Sequence, residues 1–157
     1  MYVATLFCGE SVRPNVNMPD AVAFDWQARL LTKLRTSGNE VVQKQHPLSD
    51  AALTASLQAV TKVDLLSGRF EEHLDDISVA IFDCPWTTAF RVALVSGLPV
   101  ILIDFGMGEF CPEAREALED SCTVVKGWFS PDHRAQVDWD ELAEAIAVTL
   151  QHRSGRN

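Results

Sequence analysis

Short runs of β-branched, aliphatic and aromatic residues alternate along the chain with segments whose apolar residues recur every three to four positions. The first pattern fits strands and the second amphipathic helices, so the alternation predicts βαβ units around a parallel sheet. Residues 2–7 read as the first strand, followed by a loop holding Gly9, Pro14 and Pro19. Ala23, Trp26, Leu30 and Leu34 then share one face of a helix over residues 20–37, with Gly38 as its stop. Residues 40–45 read as a second strand, ended by His46-Pro47. Ser49 is placed to cap a helix whose apolar stripe is Leu53, Leu57 and Val60. A third strand over 63–67 and one or two helical turns over 70–74 follow.

Residues 78–82 and 100–103 are nearly continuous β-branched, aliphatic or aromatic runs, the pattern of strands buried on both faces. Between them Thr87 can cap a helix running through Ser96, with Gly97 at its stop and Pro99 just beyond. Pro112 suits the first position of a further helix ending near Asp120, and residues 123–126 read as a sixth strand. Asp138-Trp139-Asp140-Glu141 has the spacing of a capping box and opens a last helix, with Leu142, Ile146 and Leu150 on one face. Residues 151–157 are expected to fray. The whole predicts an α/β fold: a Rossmann-like three-layer sandwich around a mostly parallel six-stranded sheet of order 3-2-1-4-5-6, in one domain over residues 1–150.

Composition narrows the function. Against 22 acidic residues there are 13 Lys and Arg, a formal charge of -9, which is opposite in sign to a nucleic-acid-binding surface. The most apolar stretch, residues 92–105, is broken by Ser96, Gly97, Pro99 and Asp104 and falls short of the roughly 20 apolar residues of a membrane span. No basic-then-apolar leader pattern follows Met1, and Cys8, Cys84, Cys111 and Cys122 lack paired CxxC spacing. The expectation is a cytoplasmic chain with reduced thiols and no metal site.

In open sheets of this order, ligands bind outside the carboxyl ends of the strands, where the strand order reverses. The segments there are Cys8-Gly9-Glu10-Ser11, His46-Pro47 and Asp83-Cys84-Pro85-Trp86-Thr87-Thr88. His46 puts an imidazole one residue before a proline that ends the strand, although a strand-ending proline beside a surface histidine would look the same. Thr87-Thr88 at a helix start combines hydroxyls, free backbone N–H groups and the positive end of the helix dipole, a ready phosphate site. One threonine suffices for capping, so the second hydroxyl is the informative one. Gly9 could bring backbone N–H groups close to an anion, or simply support a turn. Gly106-Met107-Gly108 lacks the third glycine and the helix of a dinucleotide fingerprint. Cys84, before a proline in a tight loop, reads as a buried inert thiol.

Taken together, Lys44-x-His46-Pro47, Gly68-Arg69-Phe70, the strand before Asp83, Thr87-Thr88 and Ser96-Gly97-Leu98-Pro99-Val100 resemble the C-terminal, nucleotide-sugar-binding half of GT-B glycosyltransferases. The likeness is greatest to the His-Pro and Ser/Thr motifs of bacterial sialyltransferases, Kdo transferases and teichoic-acid glycerophosphotransferases, and it spans residues 2–150. It implies a metal-independent transferase of surface polysaccharide or glycolipid synthesis, with a CMP-, CDP- or UDP-linked donor and no other cofactor. His46 would act on the leaving phosphate as the catalytic group. With His46, the Thr87-Thr88 turn would hold the donor phosphate; Arg13, Lys44 and Arg91 would add local positive potential, and Cys8, Gly9, Glu10 and Pro47 would complete the donor site. Arg69, Phe70 and the 105–110 loop with Glu109 would meet base and ribose. Val92 stands where many retaining members carry a ribose-binding Glu. The resemblance also implies an N-terminal acceptor domain, which these residues do not supply, and is compatible with peripheral attachment to a membrane. The rival readings are a stand-alone nucleotide-binding or regulatory module without catalysis, and a small flavodoxin-like enzyme acting alone.

Overall fold

The computed structural model describes residues 1–9 and 18–154, with side chains through residue 151. Seven strands form one sheet: β1 (Tyr2–Val3), β2 (Val42–Lys44), β3 (Asp64–Leu66), β4 (Ala80–Phe82), β5 (Val100–Asp104), β6 (Thr123–Phe129) and β7 (Ala135–Val137). Their order is β3-β2-β1-β4-β5-β6-β7. Helices α1 (Asp20–Thr36), α2 (Ala51–Thr61), α3 (Thr88–Val95), α4 (Pro112–Ser121) and α5 (Trp139–Ser154), with a 3-10 helix over Phe70–Asp76, flank the sheet. Pairing is parallel from β1 to β2, β2 to β3, β4 to β5 and β5 to β6, with Tyr2 opposite Gln43 and Ala80 opposite Val100. This is the Rossmann-like α/β sandwich that the alternation predicts, with one strand more than expected. The chain divides into two compact units, Met1–Ser67 with Phe129–Ala135, and Gly68–Trp128 with Gln136–Asn157.

In the first unit α1 buries Ala23, Trp26, Leu30, Leu31 and Leu34, the face read from the sequence, with Gln27 among them. Arg29 binds Asp25 at 2.8 Å, lies over the Trp26 ring and donates to the Ala135 carbonyl. Arg134 reaches the other oxygen of Asp25, also at 2.8 Å, so two guanidiniums and one carboxylate tie residues 134–135 to α1. Three expectations are corrected here. The first strand ends at Val3: after Ala4 N donates to Lys44 O, the backbone turns to the α2 entry, where Phe7 N donates to Ser49 Oγ and Asp50 N to Phe7 O. Ser49 being so engaged, Asp50 caps α2 by accepting from Leu53 N at 2.9 Å. The stripe of α2 runs Leu53, Leu57, Thr61 at steps of four, which leaves Val60 62% exposed. Thr61 tolerates burial because its hydroxyl donates to the Leu57 carbonyl.

In the second unit β4 is wholly buried, as are residues 100–103 of β5, as both apolar runs predicted. Phe82 stands between Phe70 and Phe90, with ring centroids 6.0 and 5.2 Å away in edge-on contacts. That row joins the 3-10 helix, β4 and α3. β6 continues to Phe129 instead of stopping at Lys126, and the connection 130–134 returns the chain to β7, too short for anything but an antiparallel turn. Gly127 lies within β6 because a Cβ there would come 2.6 Å from Cδ1 of the buried Phe105 ring. Asp138 caps α5 as expected, accepting from Asp140 N and Glu141 N. The helix runs on to Ser154, past the point where fraying was expected.

Candidate functional site

Within the first unit, the carboxyl end of β2 carries Lys44, His46 and Pro47. Lys44 is 7% exposed and its ammonium donates to the Gln45 carbonyl at 3.3 Å. The His46 carbonyl accepts from Ser49 N, and its Nδ1 accepts from Leu48 N at 3.2 Å. Pro47 and Leu48 are exposed. Behind this turn runs a row of side-chain amides. Gln27 Nε2 donates to Thr5 O, Gln43 Nε2 donates to Gln27 Oε1 and to Gln45 Oε1, and Gln45 Nε2 donates to Ser49 Oγ. Because Ser49 Oγ also accepts from Phe7 N, the row fixes the end of β1, α1 and the His46 turn to one another.

The turn after β1 is already bonded. Cys8 N donates to Asp20 Oδ1 at 2.8 Å and Gly9 N to Asp20 Oδ2 at 2.7 Å, so the N–H groups expected to meet an anion meet a carboxylate of the chain itself. Gly9 has φ +60, and a Cβ on it would lie 2.3 Å from Asp50 Oδ2. Glycine is therefore required there twice over, by conformation and by space. Glu10, Ser11 and Arg13 lie outside the described residues.

Within the second unit, β4 leads into Asp83, 1% exposed, and Cys84, buried as the sequence suggested. Thr87 caps α3, its hydroxyl accepting from Phe90 N at 3.2 Å, while Thr88 is exposed and not part of that cap. Arg91, one turn along, is exposed. Trp86 is 47% exposed and stacks on Phe110 at 5.0 Å between centroids and 19° between planes. Its ring lies over Gly108, where a Cβ would come within 2.4 Å of Cζ2. The loops after β4 and β5 are thus joined by a flat aromatic pair, with Glu109 exposed between them. The β5 end is further pinned: Asp104 accepts from Gly106 N at 2.9 Å and from Arg115, which also binds Glu119 at 2.7 Å.

Of the residues expected at base and ribose, Arg69 uses its N–H on Glu72 Oε2 in the cap of the 3-10 helix, and Phe70 is spent in the aromatic row with Phe82. The Trp86–Phe110 pair and the Asp20 clasp are the features that sequence reasoning missed. A tryptophan in the short segment between strand and helix was the available signal for the first. Among the described residues no group of three or more His, Cys, Asp and Glu is arranged to hold a metal ion, and no helix is long and apolar enough to cross a membrane. Comparison with protein-family models, curated proteins and solved structures finds no match.

Proposed function

We propose that this chain is the donor-binding domain of a metal-independent glycosyltransferase that uses a CMP-, CDP- or UDP-linked sugar or polyol to build surface polysaccharide or glycolipid. The observation that carries the reading is the division of labour at the start of α3. Thr87 does the capping, so the exposed Thr88 hydroxyl is surplus to the helix and free for a ligand oxygen. The first N–H groups of a helix have no intrahelical partner, and the dipole there favours an anion. Trp86, exposed on the residue before the cap, suits contact with a nucleobase or the C–H face of a sugar ring.

In this reading the donor phosphate rests on the start of α3, where the Thr88 hydroxyl and the helix N-terminus meet the charge that the phosphoryl oxygens gain as the glycosyl bond breaks. Hydroxyl and helix dipole stabilise the departing nucleotide with protein groups alone. The general base that activates the acceptor would come from a second domain, so transfer requires that domain and closure over the donor.

Calorimetry with CMP, CDP, UMP and UDP, with and without chelator, tests the reading. Binding is expected to be unaffected by chelator, and Thr88→Val is expected to weaken it by about 0.5–1.5 kcal/mol, the range for a lost hydrogen bond. Affinity that appears only with a divalent ion, or no binding of any of the four, contradicts it.

A further inference from the structure

We infer that the Cys8–Gly9 turn is an oxyanion-binding site whose anion the chain supplies itself, through Asp20, and that this occupation keeps ligand phosphate away from the end of β1. Two consecutive backbone N–H groups converge on the two oxygens of one carboxylate, at 2.8 and 2.7 Å. That is the geometry by which successive N–H groups in a turn grip a phosphate or carboxylate. Gly9 takes the left-handed conformation, at φ +60, that this turn requires. A second carboxylate, Asp50, held by its cap on Leu53 N, lies where a Gly9 Cβ would stand and adds negative potential at the turn.

Two consequences follow from charge and space. An incoming phosphate would have to break both Asp20 bonds and approach Asp50 as well, so this turn discriminates against phosphate. Asp20 is in this sense a specificity-determining residue, and removing its side chain should uncover the site it fills. The inference concerns free oxyanions and does not depend on the nucleotide reading.

The test is amide NMR on the wild type, Asp20→Ala and Asp20→Asn, titrated separately with sodium acetate and with inorganic phosphate, using sodium chloride as the ionic-strength control. In the wild type, the Cys8 and Gly9 cross-peaks are expected to stay in place. In Asp20→Ala they should shift saturably with acetate, at a half-saturating concentration at least roughly tenfold below any response of the wild type, as expected when a charge-assisted pair of bonds becomes available. Acetate should also raise the Tm of Asp20→Ala and not that of the wild type. Phosphate, carrying more charge toward Asp50, should act more weakly than acetate. Asp20→Asn keeps the shape and one acceptor oxygen, and serves should alanine prevent folding; its response should be intermediate. The inference is overturned if phosphate moves the wild-type Cys8 and Gly9 peaks at the concentrations that act on the variants, or if a folded variant shows no saturable shift. Nucleotide binding at α3 can succeed or fail in the wild type without altering either result.

Discussion

Thr87 and Thr88 are adjacent and chemically identical, yet the structure gives them different work, and that difference is measurable. Replacing Thr87 by alanine removes the acceptor for Phe90 N. Loss of a threonine cap costs about 0.5–2 kcal/mol in general. The 3.2 Å separation is at the long end for N–H···O, which places the effect near about 0.5–1 kcal/mol. For a chain of 157 residues that is a fall in Tm of about 1–4 °C. Thr88→Val keeps the shape, deletes an exposed hydroxyl outside the cap, and should leave stability within about 0.5 kcal/mol of wild type. Its effect should be on ligand: a lost neutral hydrogen bond weakens nucleotide binding by about 0.5–1.5 kcal/mol, roughly two- to twelvefold. Urea denaturation and calorimetry on the same preparations give both numbers. If Thr88→Val destabilises the protein as much as Thr87→Ala and leaves nucleotide affinity unchanged, the division of labour is wrong.

Gly127→Ala should destabilise by about 1–3 kcal/mol, since its methyl would press into the Phe105 ring, and combining it with Phe105→Leu should recover part of the loss; additive effects in denaturation would contradict the contact. Asp25 should shape the acid side of the stability curve. Burial alone would raise its pKa, but the hydrogen bonds and charges of Arg134 and Arg29 outweigh that and hold it below the usual carboxylate range. A carboxyl lowered in this way adds stability that is complete above its unfolded pKa, near 3.9, and is lost as pH falls through the folded value. Asp25→Asn should therefore give a shallower loss of stability below about pH 4, by less than about 1 kcal/mol because the pair faces solvent; an unchanged acid arm would contradict this.

The elements that sequence patterning reveals are those whose side chains alone determine their place. β4 and β5 are legible because residues buried on both faces leave an unbroken apolar run, and α1 because Trp26, Leu30 and Leu34 mark its face. β7 is not, since Ala135, Gln136 and Val137 carry too little apolar signal for a strand, and Gly127 reads as a strand end unless the Phe105 ring above it is known. Val60 and Thr61 are adjacent, and polarity favours the wrong one for burial until the Thr61 hydroxyl is seen bonded within its own helix. At the site, Thr87 as a cap and His46 at the end of a strand follow from local rules. The Asp20 clasp does not, because it joins residues 11 and 12 positions apart through a turn whose shape only the folded chain defines. The same holds for Trp86 and Phe110, brought together from two loops.

Amide chemical-shift mapping of the wild type with CMP, CDP, UMP and UDP in the presence of chelator tests the central claim most directly. The account predicts that at least one nucleotide moves a connected set of peaks from Trp86 to Arg91, while Cys8 and Gly9, held by Asp20, respond little. Shifts confined to other parts of the chain, or a response that appears only when a divalent ion is restored, would contradict the assignment of this domain as a metal-independent donor site.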